Sequence, residues 1–135
     1  ALAGKRLLLA EDDRLCGEIL CELLEDETGR PVSITANGRA ALEMFESANG
    51  EYDAIIMDVQ MPVMNGYEAA RAIRRSGCGN AKTVPIIALT ADASEESARA
   101  AADSGMNGCL TKPVNIDRLR KAVAAALKSL SVAYR

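Results

Sequence analysis

The feature of this sequence that most constrains its fold is the regular alternation of short apolar runs with longer segments of helical periodicity. Each run is apolar at nearly every position, which is typical of strands covered on both faces. The predicted strands are Arg6–Ala10, Val32–Thr35, Ala54–Met57, Ile86–Leu89 and Gly108–Leu110. Because five such strands alternate with five helices, we predict an α/β domain with a five-stranded, doubly wound parallel sheet and right-handed crossovers.

The segments between the strands carry apolar residues three and four positions apart, which is the spacing of one helix face. The predicted buried stripes are Cys16, Ile19, Leu20, Leu23 and Leu24; Ala41, Leu42, Phe45 and Ala48; Gly66, Ala70 and Ile73; Ala98, Ala101 and Ala102; and Ile116, Leu119, Val123, Ala126, Leu127 and Leu130. Residues that favour helix ends flank these stripes. The predicted caps are Asp13, Asn37, Asn65 with Glu68, Asp92 with Glu95, Gly105 and Asn115.

Length and composition narrow the class of protein. The 135 residues suit one domain, which we expect to span residues 1–135 with a core at about 5–130. No apolar run approaches the length of a membrane span, and acids directly follow the short run Leu7–Ala10, unlike a secretory signal. We therefore expect a cytoplasmic protein without membrane contact, either a monomer or a weak dimer. The net charge of −3 disfavours nucleic acid as a direct partner.

The side chains available for catalysis narrow the class of protein further. The sequence has no histidine, which excludes a Ser–His–Asp site and a phosphohistidine carried by this chain. The four cysteines have no CxxC spacing, so we expect reduced thiols rather than a zinc or redox site.

Polar residues follow four of the five predicted strands. Glu11 and Asp12 follow the first strand, Asp58 the third, Thr90 the fourth and Lys112 the fifth. In a doubly wound sheet, ligands bind outside the carboxyl ends of the strands, so these side chains are expected to meet at one edge. Any one of them alone is typical of a helix cap or a turn, but the set together indicates a site.

The expected cluster of acids requires a cation. Two like charges about 4 Å apart repel by roughly 4 kcal/mol at an effective dielectric constant near 20. Carboxylate and carbonyl oxygens with open positions suit Mg²⁺. Asp58 is the expected nucleophile, because carboxylates attack phosphorus and it lies between the other groups. Lys112 would offset charge on a transferring phosphoryl group, and Thr90 could donate a hydrogen bond to it.

At these residues the sequence resembles the response-regulator receiver family, from about Lys5 to Leu127. The matching stretches are LLLAEDD (Leu7–Asp13), IIMDVQMPVMNGYEAARAIR (Ile55–Arg74), VPIIALTA (Val84–Ala91) and GMNGCLTKPV (Gly105–Val114). The resemblance implies the flavodoxin-like (βα)5 receiver fold. It also implies a signalling domain that accepts a phosphoryl group and is not an enzyme beyond its own phosphotransfer and slow dephosphorylation.

The resemblance also implies a role for each site residue. Asp58 is then the phosphoacceptor and binds Mg²⁺ directly together with Asp12. Glu11 acts through water, and the backbone carbonyl of Gln60 completes the protein ligands. Thr90 is the switch hydroxyl. Lys112 contacts the phosphoryl group, and its peptide bond to Pro113 is expected to be cis.

Two departures from the family pattern refine the prediction. Many receivers carry Tyr or Phe where this chain has Cys109, so the coupling is expected to run mainly through Thr90. The first acid is Glu11 rather than Asp, and this variant resembles the receivers of hybrid sensor histidine kinases. The expected phosphodonor is a histidine kinase or a histidine phosphotransfer protein. The expected output surface is formed by the fourth helix, the fifth strand and the fifth helix.

Several alternatives are compatible with parts of the pattern. A stand-alone, diffusible response regulator would carry the same site. A degenerate receiver that acts only as a docking scaffold would not need every site residue, and all are present. A flavodoxin-like redox or binding domain would need a phosphate-cradling loop after the first strand, where Glu11–Arg14 is acidic. An aspartyl-phosphate hydrolase would need an Asp at Gln60. A redox input through Cys109 would need a lowered thiol pKa.

Overall fold

Five parallel strands and five helices alternate along the chain in a computed structural model that describes residues 2–92, 94–112 and 114–133, with side chains as far as residue 127. The strands are β1 (Leu7–Ala10), β2 (Ser33–Thr35), β3 (Ala54–Asp58), β4 (Ile86–Thr90) and β5 (Gly108–Thr111). The helices are α1 (Arg14–Thr28), α2 (Gly38–Ser47), α3 (Gly66–Arg75), α4 (Glu95–Asp103) and α5 (Ile116–Ala133).

The sheet has the order β2-β1-β3-β4-β5, and all its strand pairs are parallel. The chain therefore reverses its winding direction between β1 and β3, and the expected site lies at that switch point. Every residue of β1, β3 and β4 is buried, which explains why these strands are apolar except at the last residues of β3 and β4, Asp58 and Thr90. The predicted doubly wound fold is confirmed.

The two faces of the sheet carry two separate cores, because successive strand residues point to opposite faces. Leu8, Ile55 and Met57 pack on one face with residues of α2, α3 and α4. Leu9 and Ile56 pack on the other face with residues of α1 and α5. Among the described residues, no helix is long and apolar enough to cross a membrane.

The strand boundaries differ from the prediction by one residue. β1 and β2 begin one residue later than predicted, and β3, β4 and β5 end one residue later. Arg6 and Val32 lie outside β1 and β2. The amide of Arg6 donates to the Asp53 carboxylate at 2.7 Å, and the guanidinium group of Arg6 lies over the ring of Tyr52. At the other end, Asp58 and Thr90 are the last residues of their strands. Two site residues are thus positioned by the sheet itself.

The apolar stripe predicted for α1 is wrong in part. Leu20 and Leu24 are buried, but Cys16, Ile19 and Leu23 are exposed. The buried face of the helix continues instead through Gly17 and Thr28. The sequence offered two apolar stripes, and only one faces the sheet.

The stripe and the cap predicted for α4 are also wrong in part. Ala98 and Ala102 are exposed, and within the helix only Ala101 is buried. The N-cap is Ser94, which accepts from the amide of Ser97, rather than Asp92. The other predicted N-caps agree with the structure: Asp13, Asn37, Asn65 with Glu68 in a capping box, and Asn115. Gly105 follows α4 with φ +95°, as predicted for a helix end.

Gly66 at the start of α3 sets the approach of that helix to the end of β3. A Cβ at this position would collide with the carbonyl oxygen of Asp58 and lie 2.8 Å from the Cα of Val59. The amide of Gly66 also donates to the Val59 carbonyl at 3.0 Å. Glycine is therefore required here so that the helix can support the backbone on which Asp58 is carried.

Candidate functional site

Hydrogen bonds that continue beyond the strands align the predicted site residues. The amide of Glu11 donates to the Thr35 carbonyl at 3.0 Å, and the amide of Lys112 donates to the Thr90 carbonyl at 2.7 Å. Asp58 lies beside Leu89 in the parallel register. The ends of β1, β3, β4 and β5 are thereby held at one edge, and the residues that follow them converge.

Lys112 joins the two buried acids of the site. Its Nζ lies 2.6 Å from Oε1 of Glu11 and 2.9 Å from Oδ2 of Asp58. The other carboxylate oxygen of Asp58 accepts from the backbone amide of Gln60 at 3.1 Å. Asp58 is 5% exposed and Glu11 3% exposed, while Lys112 is half-buried. The nucleophile predicted from the sequence is therefore held by a cation on one side and by an amide on the other.

Oxygen atoms of Glu11, Asp12 and Asp58 lie within 4.8 Å of one another. With Lys112 included, three carboxylates face one ammonium group, which leaves a net charge of −2 when all four are ionised. A divalent cation would neutralise this excess, and hard oxygen donors are the ligands that Mg²⁺ prefers. The donor set therefore fits Mg²⁺. Glu11 and Asp58 are buried, and Asp12 is the exposed member of the set.

The crowding of charge perturbs the titration of the site. Burial and, to a lesser extent, a hydrogen bond with Asp58 together raise the pKa of Glu11 from its ordinary 4.5 to about 7, against the opposing effect of Lys112. Burial would also raise the pKa of Asp58, but hydrogen bonds with Glu11, Lys112 and the Gln60 amide outweigh it and hold that pKa below its ordinary value. Near neutral pH, Asp58 is the ionised carboxylate and therefore the competent nucleophile.

The pKa of Lys112 is raised above its ordinary value. Burial alone would lower it, but hydrogen bonds to Glu11 and Asp58 outweigh burial. Near neutral pH, Lys112 is therefore positively charged while Asp58 is ionised. A fixed positive charge beside the nucleophile is suited to a reaction in which negative charge moves onto Asp58.

Thr90 is 4% exposed and ends β4 next to the site. Its hydroxyl oxygen accepts from the amide of Asp92 at 3.1 Å. Among the hydrogen bonds of the described residues, the Thr90 hydroxyl proton has no acceptor. It is thus available as a donor. The predicted cis bond between Lys112 and Pro113 lies outside the described residues.

Cys109 is half-buried in β5 and packs against the core that contains α4. Burial raises the pKa of its thiol, and the nearby charge of Asp92 raises it further. A redox input through this residue needs a lowered thiol pKa, so the shift is in the wrong direction for that alternative.

Sequence reasoning missed the apolar surface beside the site. Leu15, Ile19 and Leu23 of α1 are 67%, 51% and 37% exposed, and they stand four residues apart on one face of the helix. We call this surface the α1 ridge. A crevice of about 200 Å³ runs along it to Glu11 and Lys112. The signal in the sequence is the excess of apolar residues on α1: the predicted buried stripe contains Ile19 and Leu23, and Leu15 lies outside it.

Comparisons with a family profile, with protein sequences and with solved structures all indicate the same family. The profile described as Response regulator receiver domain matches residues 7–124. The chain is 36% identical to "Probable histidine kinase 2" of Oryza sativa subsp. indica, over 94% of this chain and 13% of that protein. The chain therefore spans only a small part of this relative.

Two solved structures share the fold at similar identity. One is the receiver domain of sensor histidine kinase PA1611 from Pseudomonas aeruginosa with a magnesium ion in its active-site cleft: 35% identity, TM-score 0.76, covering 93% of this chain and 99% of that one. The other is the receiver domain of Ssk1 in a co-crystal with the histidine phosphotransfer protein Ypd1 of Saccharomyces cerevisiae: 30% identity, TM-score 0.80, covering 92% and 89%. With its parallel sheet and acidic strand ends, this chain belongs to the response-regulator receiver family, the signalling domains of two-component and phosphorelay systems, and its relatives include receivers of histidine kinases.

Proposed function

We propose that this receiver accepts a phosphoryl group from a phosphohistidine onto Asp58. The observation that carries the proposal is the buried Asp58 carboxylate with the Lys112 ammonium group 2.9 Å away. The Asp58 oxygen attacks phosphorus, an O–P bond forms, and the P–N bond to the imidazole breaks with its electron pair left on nitrogen. Lys112 remains beside the phosphoryl oxygens, and Thr90 offers its hydroxyl proton to one of them.

We infer that Mg²⁺ is the required cofactor, held by Asp12 and Asp58 directly, by Glu11 through water and by the backbone carbonyl of Gln60. Bound there, the ion would supply positive charge at the phosphoryl oxygens and help to orient the group for in-line transfer. The magnesium-containing receiver of PA1611 supports this inference by similarity. The excess of acids over cations in this site supports it independently.

The test of the proposed function is the intact mass of the protein after incubation with acetyl phosphate, with and without Mg²⁺. We expect an increase of one phosphoryl group that requires the metal. Absence of any adduct at saturating Mg²⁺ would instead support the alternative of a docking scaffold.

Mg²⁺ affinity should depend on Asp12 more than on Glu11. Asp12→Asn removes a direct ligand, while Glu11→Gln removes a water-mediated contact and should cost about tenfold in affinity. Because the Glu11 proton must leave, the affinity of the wild type should fall as the pH drops below about 7, and Glu11→Gln should flatten this dependence. The chain has no tryptophan, so titration calorimetry or amide shifts are the suitable measurements.

Thermal melting without metal provides the control for this prediction. The folded-state pKa of Glu11, about 7, exceeds its ordinary 4.5, so the folded protein binds the extra proton and its stability falls as the pH rises through that window. Glu11→Gln should therefore melt above the wild type at pH 8 and lose this advantage towards pH 4.5. A larger loss of Mg²⁺ affinity in Glu11→Gln than in Asp12→Asn would contradict the ligand assignment.

We infer that the phosphodonor, a histidine kinase or a histidine phosphotransfer protein, docks on the α1 ridge. The ridge is apolar, exposed and continuous with the crevice that reaches Lys112. A partner seated there would bring its phosphohistidine to the site while excluding water. The co-crystal of a similar receiver with Ypd1 supports a partner of this kind.

Ile19→Asp should slow transfer from phosphorylated Ypd1 by about tenfold or more, because it places a charge at the centre of an apolar contact. Its rate with acetyl phosphate should stay unchanged, since the small donor does not use the ridge. Lys82→Asp is the matched control: it also changes an exposed residue, but on the loop that enters the opposite end of β4. Equal rates for Ile19→Asp and the control with Ypd1 would rule out the ridge as the docking surface.

Several further expectations rest on the sequence and on the family. We propose that one receiver domain occupies residues 1–135, that it binds no nucleic acid or membrane directly, and that it works as a monomer or weak dimer in the cytoplasm. Its output surface would comprise α4, β5 and α5. Its only chemistry would be its own phosphotransfer and slow dephosphorylation.

A further inference from the structure

The helix α4 is anchored in the core at one end only. Ala101 is the only buried residue within the helix, and Ser104 and Met106 are buried just after it. In the first turn, Glu95, Glu96 and Ala98 are all exposed. Apolar burial therefore holds the C-terminal half of α4, and polar contacts hold its N-terminal half.

Arg74 of α3 clamps the C-terminal end. Its Nε and Nη2 donate to the carbonyl of Gly105 at 3.0 and 2.7 Å, and Nη2 also reaches Oδ1 of Asn107 at 2.9 Å. Nη1 donates to the carbonyl of Ala81 at 3.0 Å. The same Asn107 oxygen accepts from the amide of Ile86 in β4 at 2.8 Å. The residues after α4 are thus tied to both α3 and the central sheet.

Asp92 fastens the N-terminal end. One carboxylate oxygen accepts from the amide of Ser94 at 2.9 Å, and the other accepts from the hydroxyls of Ser94 and Ser97, each at 3.0 Å. These bonds hold the pKa of Asp92 below its ordinary value, so the carboxylate stays ionised. We call this set of three hydrogen bonds the Asp92 latch.

The latch is joined to the switch hydroxyl by one hydrogen bond. The amide of Asp92 donates to Oγ1 of Thr90 at 3.1 Å. The carbonyl of Thr90 is fixed by the amide of Lys112 at 2.7 Å, so the backbone of Thr90 is held while its side chain can turn. If Thr90 turns towards a phosphoryl group on Asp58, its oxygen moves away from the Asp92 amide.

We propose that Asp92 is the positioning residue that transmits the turn of Thr90 to α4, and that the helix pivots about the end held by Arg74. Loss of the Thr90 contact displaces the Asp92 backbone, and the latch carries that displacement to the first helical turn. The C-terminal half of α4 stays buried, and the residues after it stay hydrogen-bonded to Arg74. The proposal rests on the proposed function, because it requires a phosphoryl group at Asp58.

The test compares amide shifts and amide hydrogen exchange with and without Mg²⁺ and beryllofluoride. In the wild type, beryllofluoride should shift the amides of Glu95–Ala98 strongly and those of Ala101–Asp103 weakly. In Asp92→Ala, the hydrogen-bonded amides of this turn, those of Ser97 and Ala98, should exchange about tenfold or more faster even without beryllofluoride, as expected for the loss of the three hydrogen bonds of the latch. Their response to beryllofluoride should fall to less than about half. Asp92→Asn, which can still accept from Ser94, should restore part of both effects.

Glu95→Gln is the matched control, because it neutralises an exposed acid on the same turn, and we expect wild-type behaviour. If Asp92→Ala folds poorly, Ser97→Ala removes one bond of the latch and should give the same changes at smaller size. A purely structural latch would raise exchange in Asp92→Ala but leave the response to beryllofluoride unchanged, which overturns the proposal. An equal response at both ends of wild-type α4 overturns the pivot.

The amides of Gln60 and Lys112 separate failure of this proposal from failure of the proposed function. If they respond to beryllofluoride in both wild type and Asp92→Ala, the site binds the phosphoryl mimic, and the response of α4 alone decides the role of Asp92. If they stay silent in the wild type, the proposed function itself fails and the coupling fails with it.

Discussion

Asp58→Asn should leave no phosphoryl adduct after incubation with Mg²⁺ and acetyl phosphate, while the wild type is modified. The reason is chemical: an amide oxygen is a far weaker nucleophile than the ionised carboxylate that Lys112 and the Gln60 amide hold in place. Intact mass spectrometry measures the loss directly. The fold should survive, because Asn is nearly isosteric with Asp and relieves repulsion from Glu11.

Asp13→Asn is the matched control for this substitution. Asp13 is a neighbouring acid that caps α1 by accepting from the amide of Cys16 at 3.1 Å. Asn is as good an N-cap as Asp, so the helix should be unaffected and the adduct retained. A full adduct in Asp58→Asn would show that another acid, of which Asp12 is the nearest exposed candidate, is the acceptor.

Thr90→Ala should remove most of the change that beryllofluoride causes in the amides of residues 91–102, whereas Cys109→Ala should leave it nearly intact. Thr90 is buried at the end of β4, and its hydroxyl oxygen accepts from the amide of Asp92 in the loop after β4. Cys109 is half-buried and small. A thiol cannot swing between poses that differ by the area of an aromatic ring, at least about 150 Å².

Without an aromatic ring on β5, fewer contacts differ between the unphosphorylated and the phosphorylated conformation. The population shift on phosphorylation should therefore be smaller than in a receiver that has such a ring. Amide chemical shifts with and without beryllofluoride are the measurement, and the amide of Gln60 reports whether the mimic is bound. Loss of the response in Cys109→Ala together with its survival in Thr90→Ala would contradict this account of the switch.

The Asp92 latch explains why we expect Thr90→Ala and Cys109→Ala to have different effects on α4. Thr90→Ala removes the oxygen that the Asp92 amide contacts, so the loop loses its link to the site. Cys109→Ala leaves that link in place. A chain without an aromatic ring on β5 can therefore still move α4, because the coupling follows the polar bonds of Asp92 rather than the packing of a ring.

Much of the fold was predictable because its strands are unusual in composition. β1, β3 and β4 are buried on both faces, and such strands read as continuous apolar runs whatever the rest of the chain does. Parallel order then places every strand end at one edge, so Glu11, Asp58 and Thr90 could be grouped before any distance was known. Helix capping was also predictable, because a cap such as Asn37 or Asn65 acts on an amide three residues away, within a single helical turn.

The errors fall where a local pattern has two possible partners. The apolar residues of α1 form two stripes, and periodicity cannot tell which of them packs on the sheet and which faces solvent. In α4, Asp92 and Ser94 are both good caps, and the choice depended on which side chain the loop placed over the first turn.

What the sequence by itself determined is the class of fold, the edge at which chemistry occurs and the acids and hydroxyl that meet there, because these follow from short-range pattern and parallel topology. What only the tertiary structure decided is how those groups share their charges. Lys112 is 54 residues from Asp58 in the chain, yet it bridges Asp58 and Glu11 within 3 Å. Burial raises the pKa of Glu11 against the effect of that contact, whereas hydrogen bonds with Glu11 and Lys112 lower the pKa of Asp58 against the effect of burial. Burial and long-range distance are properties that no local run of residues contains.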